Sequence, residues 1–260
     1  MMRGSNVSSA PDVLSRKPAR TLPQARAESA PRPLALKQVD PLRKGKDPAP
    51  RAKACLTPVQ PRWTGEPVTL VAGGPSLTPA DLEAIRGKTR VIAVNDACRL
   101  ASWADMLYAA DRPWWNHYKG VPEFSGEKWT QDKSGGDEAA LRWGLKCVRS
   151  ERKPGLSFDS ALIHQGANSG FQALNIAVLM GCKPIYLLAY DMQPTGGKLH
   201  WFGEHPPGVR KGVSFDLFRV AFVEAAPQLA AAGIPVINLS RETALTCFPR
   251  SRVEEVFNAR

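Results

Sequence analysis

Residues 68–77 read VTLVAGGPSL. The first five are apolar or β-branched, which is typical of a short strand buried on both faces. Gly73 and Gly74 follow, and glycine lets a backbone approach a ligand closely because it has no Cβ. Ser76 or Thr78 can cap the next helix, whose free N–H groups favour an anion such as a nucleotide phosphate. The stretch matches neither GxGxxG nor the P-loop pattern, so a plain turn between strand and helix is the alternative.

Three more apolar runs end in polar side chains. They are residues 90–94 with Asn95 and Asp96, residues 105–110 with Asp111, and residues 184–189 with Asp191. Ligands of an open parallel sheet bind beyond the carboxyl ends of its strands. We therefore expect a doubly wound, mainly parallel, Rossmann-like α/β sheet with these polar residues around one crevice. The carboxylates would bind Mg²⁺ or ribose hydroxyls, or would cap the helices that follow.

Two other stretches point to the same crevice. Asn168 or Ser169 can cap an apolar helix over residues 171–180, which would be buried against the sheet. A loop rich in glycine and proline, residues 193–212, contains HWFGEHP with His200 and His205. Histidine is a competent general base or phosphate partner near neutral pH. The spacing of the two histidines is not that of a zinc motif, and incidental histidines in an exposed loop are the alternative.

The net charge divides the chain. Residues 1–63 hold 13 Lys and Arg against 4 Asp and Glu, or +9, whereas residues 64–260 hold 22 against 20, or +2, which together make the total of +11. The first segment also has 10 of the 23 prolines and no aromatic residue before Trp63. We expect a disordered basic arm over 1–63 and one α/β domain over 64–260. Such an arm would bind a polyanion or a virion partner, or would be a solvated linker.

The remaining composition bears on location and on one weak region. Five scattered cysteines without a CxxC pair, and no apolar run of the roughly 18 residues that a membrane span requires, predict a soluble cytoplasmic protein with no membrane insertion. Between residues 116 and 158 the apolar pattern loosens. We expect an irregular insertion there, with short strands near 127–131 and 145–149, forming one wall of the crevice.

Three motifs carry a resemblance to a known family. They are GGPSL at residues 73–77, VND at 94–96, and NSGFQALNIAVLMGCKPIYLLAYDM at 168–192. Together they resemble the Rossmann-like family of the bacterial sialyltransferases of glycosyltransferase family 42, a group that also holds the archaeal 6-hydroxymethylpterin diphosphokinases. The chain is also similar to small phage-encoded proteins described as hypothetical or morphogenetic.

The resemblance implies a nucleotide or nucleotide-sugar donor and assigns roles to residues. Gly74, Pro75 and Ser76 would lie at the phosphate or ribose, and Asn95 nearby. The turn of Asn168, Ser169 and Gly170 would contact the donor, Asp191 would match the aspartate that closes the next strand, and His205 or His200 would be the general base. Two departures concern the transferase chemistry: Gly73 stands where that family has asparagine, and Gln193 and Pro194 follow where an aromatic residue is expected.

Two functions follow from these observations. The first is a transferase, in which a loop histidine deprotonates an acceptor hydroxyl and the attack falls on carbon, or on phosphorus if the diphosphokinases are the nearer relatives. The second is a non-catalytic phage morphogenesis or DNA-associated module that retains the fold in the host cytoplasm and binds its partner through the basic arm. Fold alone does not decide between them.

Overall fold

The computed structural model describes residues 54–209 and 214–258. These residues form eight strands and six helices, with one 3₁₀ turn at Asn95–Arg99. The strands are β1 (Val68–Val71), β2 (Arg90–Val94), β3 (Met106–Tyr108), β4 (Glu127–Gln131), β5 (Lys146–Glu151), β6 (Leu162–His164), β7 (Ile185–Leu188) and β8 (Val236–Asn238). The helices are α1 (Pro79–Ile85), α2 (Arg112–His117), α3 (Gly136–Trp143), α4 (Ser169–Leu179), α5 (Phe215–Ala231) and α6 (Val253–Phe257).

The strands form one parallel sheet in the order β6-β5-β4-β3-β2-β1-β7-β8. From β1 the chain moves strand by strand to one edge, returns through α4, and adds β7 on the other side of β1. The direction of winding therefore changes at β1, and ligands bind at such a switch point in doubly wound folds. The predicted fold class is confirmed.

Helices cover both faces of the sheet, and each face has its own apolar core. On one face α4 and α5 pack over residues such as Leu70, Ile92 and Leu187. On the other face α1, α2, α3 and α6 pack over residues such as Val71 and Ala93. All eleven residues of α4 are buried, as its mostly apolar sequence predicts, because the helix lies between the sheet and α5.

Residues 116–158 are more regular than predicted. The strands predicted near 127–131 and 145–149 are confirmed as β4 and β5, but the irregular insertion is wrong, because β4, α3 and β5 continue the parallel sheet outward from β3. Polar residues loosen the apolar pattern here, since Gln131 is buried and accepts a 2.5 Å hydrogen bond from the Ser150 hydroxyl. A buried amide that is paired in this way does not oppose strand formation, but it breaks the apolar run.

The domain begins before residue 64. Residues 54–63 belong to the fold and not to an arm, because Val59 is fully buried and the Thr57 N–H donates to the Cys147 carbonyl at 2.7 Å. Arg62 adds an ion pair with Glu127 at the start of β4. The rest of the predicted arm, residues 1–53, lies outside the described residues. The polyanion or virion partner proposed for that arm therefore stays a prediction. In the described part of the chain, no helix has the length and apolar character that crossing a membrane requires.

Candidate functional site

A cleft lies beyond the carboxyl ends of β1, β2 and β7, next to the start of α4. Its volume is about 710 Å³, including its open mouth. Ten of the residues predicted from the sequence line it: Gly73, Gly74, Asn95, Asp96, Asn168, Ser169, Gly170, Asp191, His200 and His205. Residues more than 100 positions apart in the sequence thus meet at one site.

We call residues 73–76, which follow β1, the glycine loop. Asp191, which follows β7, holds this loop in place through hydrogen bonds. The backbone N–H of Ser76 donates to Oδ2 of Asp191 at 2.9 Å, and the Ser76 hydroxyl donates to Oδ1 at 2.6 Å. The Thr195 hydroxyl adds a third hydrogen bond, to Oδ2, at 3.0 Å. Both oxygens of this buried carboxylate therefore have partners in the chain itself. We interpret Asp191 as a residue that positions the loop, and not as the group that reacts.

Two further features describe this contact. A Cβ on Gly74 would lie 2.1 Å from Oδ1 of Asp191 and 2.5 Å from the Ala189 carbonyl oxygen, so only glycine allows so close an approach. Burial raises the pKa of Asp191 above its ordinary value, and the hydrogen bonds from Ser76 and Thr195 oppose that rise. The loop thus provides the donors that keep a buried carboxylate ionised.

The start of α4 presents hydrogen-bond donors to the cleft. Asn168 caps the helix by accepting the Phe171 N–H at 2.8 Å. The N–H groups of Ser169 and Gly170, and the Ser169 hydroxyl, have no hydrogen-bond partner among the described residues. Ser169 is only 7% exposed. An unpartnered hydroxyl beside two free N–H groups at a helix N-terminus is well suited to an anion.

Packing holds this helix start in place. The Tyr190 hydroxyl donates to the Gly170 carbonyl at 3.1 Å, and a Cβ on Gly170 would lie 2.9 Å from the Tyr190 ring. Glycine is therefore required there, as it is at position 74. The N–H of Gly73 also faces no partner among the residues that the structure describes, so it can add one more donor to the same cleft.

Asp96 is held by aromatic side chains. Its carboxylate, fully buried at the 3₁₀ turn, accepts the Trp114 indole N–H at 2.9 Å and the Tyr118 hydroxyl at 2.6 Å. Burial, together with Asp96, raises the pKa of Tyr118 well above its ordinary range, so this hydroxyl remains a donor. Asp96 also faces Nδ1 of His205, which lies 3.9 Å from its Oδ2. The neighbouring Asn95 has a left-handed backbone, with a φ of 51°.

We call residues 193–209 the histidine loop. It folds back over the glycine loop, because the Trp201 N–H donates to the Gly73 carbonyl at 3.0 Å. The rings of His200 and His205 are 4.6 Å apart, and His200 also stacks on Phe202 at 4.9 Å. This aromatic cluster closes one side of the cleft.

The remaining predicted residues lie nearby but not in the cleft. Pro75 and Ser76 lie in the glycine loop but do not line the cleft. Ser76 instead donates a hydrogen bond to Asp191. Asp111 precedes α2 and lines a second cavity beside the first. Sequence reasoning missed the apolar part of the wall, made by Val94, Tyr190, Met192, Leu199, Phe202, Phe215 and Phe218. A helical spacing of three between Phe215 and Phe218 is the one signal that could have placed these two on a common face.

No protein-family model matches the chain, and a search of curated proteins finds no match. Within residues 54–209 and 214–258, no group of three or more His, Cys, Asp or Glu side chains could hold a metal ion.

Proposed function

We propose that the chain is a transferase that binds a nucleotide-type phosphate ester in the cleft and passes the activated group to an acceptor hydroxyl. The observation that carries this proposal is the start of α4, where the Ser169 hydroxyl and the N–H groups of Ser169 and Gly170 have no partner among the described residues, and both residues line the cleft. Such donors at a helix N-terminus favour an anion. A phosphate would supply the missing acceptors.

The groups that would donate hydrogen bonds to the phosphate are held in place before the ligand arrives. The helix and the glycine loop are both fixed by hydrogen bonds, from Tyr190 in one case and to Asp191 in the other. Preorganised N–H groups stabilise the charge that develops on a leaving phosphate, commonly by about 3 kcal/mol for one donor. Gly74 allows the glycine loop to lie against Asp191, and this contact holds the loop at the switch point of the sheet.

His205 is the base in this proposal, and Asp96 positions it. With Nδ1 directed at the Asp96 carboxylate, the other ring nitrogen, Nε2, is the one that accepts a proton. The separation of 3.9 Å exceeds a hydrogen bond, and such contacts commonly shorten when the substrate binds. His200 packs against Gly73 and is placed to contact the phosphate.

The reaction then balances as follows. The acceptor oxygen forms a bond to the activated carbon while the bond from that carbon to the phosphate oxygen breaks. The acceptor proton passes to Nε2 of His205, and the electron pair leaves on the phosphate, at the start of α4. The resemblance of GGPSL, VND and the long motif at 168–192 to family 42 sialyltransferases supports the same division of roles. In this scheme the N–H groups at the start of α4 stabilise the charge on the leaving phosphate, and bound Mg²⁺ would add to that stabilisation.

The test is a thermal-shift screen of the full chain. CMP, CDP, UDP, GDP, ADP and ATP are each added with and without Mg²⁺. A nucleotide at 100 times its Kd adds about 2.7 kcal/mol to stability, so a binding nucleotide raises Tm by several degrees. Ser169→Ala should reduce that shift, while Ser160→Ala, at an exposed serine of the same type, should not. If none of the six nucleotides shifts Tm, or if Ser169→Ala shifts as the wild type does, the proposal is wrong.

A further inference from the structure

A buried hydrogen-bond network lies behind the start of α4. Residues 165–168 form the turn that joins β6 to this helix, and the network meets at the Gln165 carbonyl. That carbonyl accepts the Asn168 N–H at 3.3 Å and Nε2 of Gln172 at 3.0 Å. A side chain of α4 itself therefore holds the turn from which the helix begins.

The backbone of this turn needs such a restraint. Gly166 and Ala167 both have left-handed φ angles, 50° and 60°. Alanine is unfavourable in that region, because its Cβ lies too close to a carbonyl oxygen. A Cβ on Gly166 would lie 2.1 Å from the Phe171 ring, so the first position requires glycine. Strained turns of this kind persist only where neighbouring contacts hold them.

Tyr108, the last residue of β3, fixes the orientation of the Gln172 side chain. Because a carbonyl can only accept, the Gln172 amide turns its NH₂ group to Gln165 and its Oε1 to Tyr108. The Tyr108 hydroxyl donates to that Oε1 at 2.6 Å. Both side chains are buried. Burial raises the pKa of Tyr108 well above its ordinary value, so this hydroxyl remains a donor.

The same turn is tied to the sheet at a second point. Nε2 of Gln165 donates to the Ser150 hydroxyl at 3.0 Å and to Oε1 of Gln131 at 3.3 Å. Side chains of β3, β4 and β5 are thus linked by hydrogen bonds to the turn before α4. Tyr108 lines neither the cleft nor the second cavity, so it can influence a ligand only through Gln172.

We propose that Tyr108 is a positioning residue for the phosphate site. Through the amide of Gln172 it holds the turn of residues 165–168, and this turn sets the direction of the Ser169 and Gly170 N–H groups. The ligand in this proposal rests on the proposed function. The restraint on the turn exists with or without a nucleotide, so it has a readout of its own.

The first readout is amide hydrogen exchange, followed by NMR in the full chain without a nucleotide. Tyr108→Phe removes the hydroxyl and keeps the ring. The N–H groups of Asn168 and Phe171 should then exchange about tenfold faster relative to that of Ile176, further along α4. A loss of global stability would accelerate exchange at all three positions alike. Equal acceleration at Ile176, or none at the turn, would overturn the proposal.

The second readout is affinity, measured by isothermal titration with CMP, CDP, UDP, GDP, ADP and ATP. Any of these that binds the wild type should bind Tyr108→Phe about tenfold more weakly. In a Gln172→Met background, Tyr108→Phe should have less than about a twofold further effect, because the two residues act as one unit. The double variant replaces both partners by apolar groups, so it should be more stable than Gln172→Met alone without regaining affinity. Affinity that returns with stability would assign Tyr108 a merely structural role.

Tyr186→Phe is the matched control. Tyr186 lies on β7 and packs into the apolar core on the face of the sheet opposite to α4, so its hydroxyl should affect neither readout. Nucleotide affinity that Tyr108→Phe leaves unchanged would overturn the positioning role and leave the proposed function standing. Faster exchange at the turn in a chain that binds none of the six nucleotides would retain the restraint by Tyr108 and reject the proposed function.

Discussion

The structure predicts how much stability the protein loses when the Ser76 hydroxyl, which donates to Asp191, is removed. Ser76→Ala deletes the 2.6 Å hydrogen bond to Oδ1 and leaves the Ser76 N–H and Thr195 to bind Oδ2. Hydrogen bonds to charged groups contribute about 1.5–3 kcal/mol. Because Asp191 is only 2% exposed, water cannot readily replace the lost donor. We expect the free energy of unfolding to fall by about 2 kcal/mol.

Urea unfolding at pH 7 measures this loss, and the melting temperature should fall by about 4–8 °C for a domain of this size. The effect should depend on pH. The hydroxyl stabilises the ionised form of Asp191, so its contribution is present above the raised pKa of that carboxyl and decreases as the pH falls through it. Ser160→Ala, at an exposed serine, is the control. A loss below about 0.5 kcal/mol, or one that does not change with pH, would refute the role assigned to this contact.

Three further predictions concern the glycines, an ion pair and the base. Gly74→Ala should destabilise the fold by about 1–3 kcal/mol through overpacking. Gly73→Ala, whose Cβ would meet no atom closer than 3.4 Å, should retain wild-type stability in the same urea assay. Equal losses of stability in the two variants would contradict this prediction. The hydrogen bond from Arg62 is the largest cause that lowers the pKa of Glu127 from 4.5 to about 2. Glu127→Gln should therefore reduce the free energy of unfolding by on the order of 1 kcal/mol at pH 7, after solvent screening. In urea titrations, the difference in stability between wild type and variant should vanish as the pH falls from 4.5 toward 2. His205→Gln should slow transfer at least about a hundredfold while calorimetry shows nucleotide affinity within about threefold of wild type; a parallel loss of affinity would assign His205 to binding.

Much of the site could be predicted because each part has a local signal. Gly73, Asp96 and Asp191 each follow an apolar run directly, and in a parallel sheet the carboxyl ends of strands meet at one edge. Asn168 was recognisable as a cap before a mostly apolar helix, and α4 begins directly after it. These residues could be predicted to lie close together without knowledge of the order of the strands in the sheet.

What the sequence did not reveal depends on distant partners. Asp96 is a plain strand-end carboxylate in the sequence, and only the fold places the Trp114 indole and His205 against it. The strand β4 was predicted, but its place in the main sheet was not, because Gln131 is buried through a hydrogen bond with Ser150, a pairing that no local pattern shows. Val59 was assigned to the arm because its neighbours are polar and proline-rich, although its side chain is fully buried.

The central claim is that the start of α4 binds a phosphate. The most direct measurement is a crystal structure of the full chain with the nucleotide that raises the melting temperature most. The account predicts density for a phosphate in the cleft, with its oxygens within hydrogen-bond distance of the Ser169 and Gly170 N–H groups and of the Ser169 hydroxyl. A nucleotide whose phosphate lies elsewhere, with the start of α4 facing only water, would contradict it.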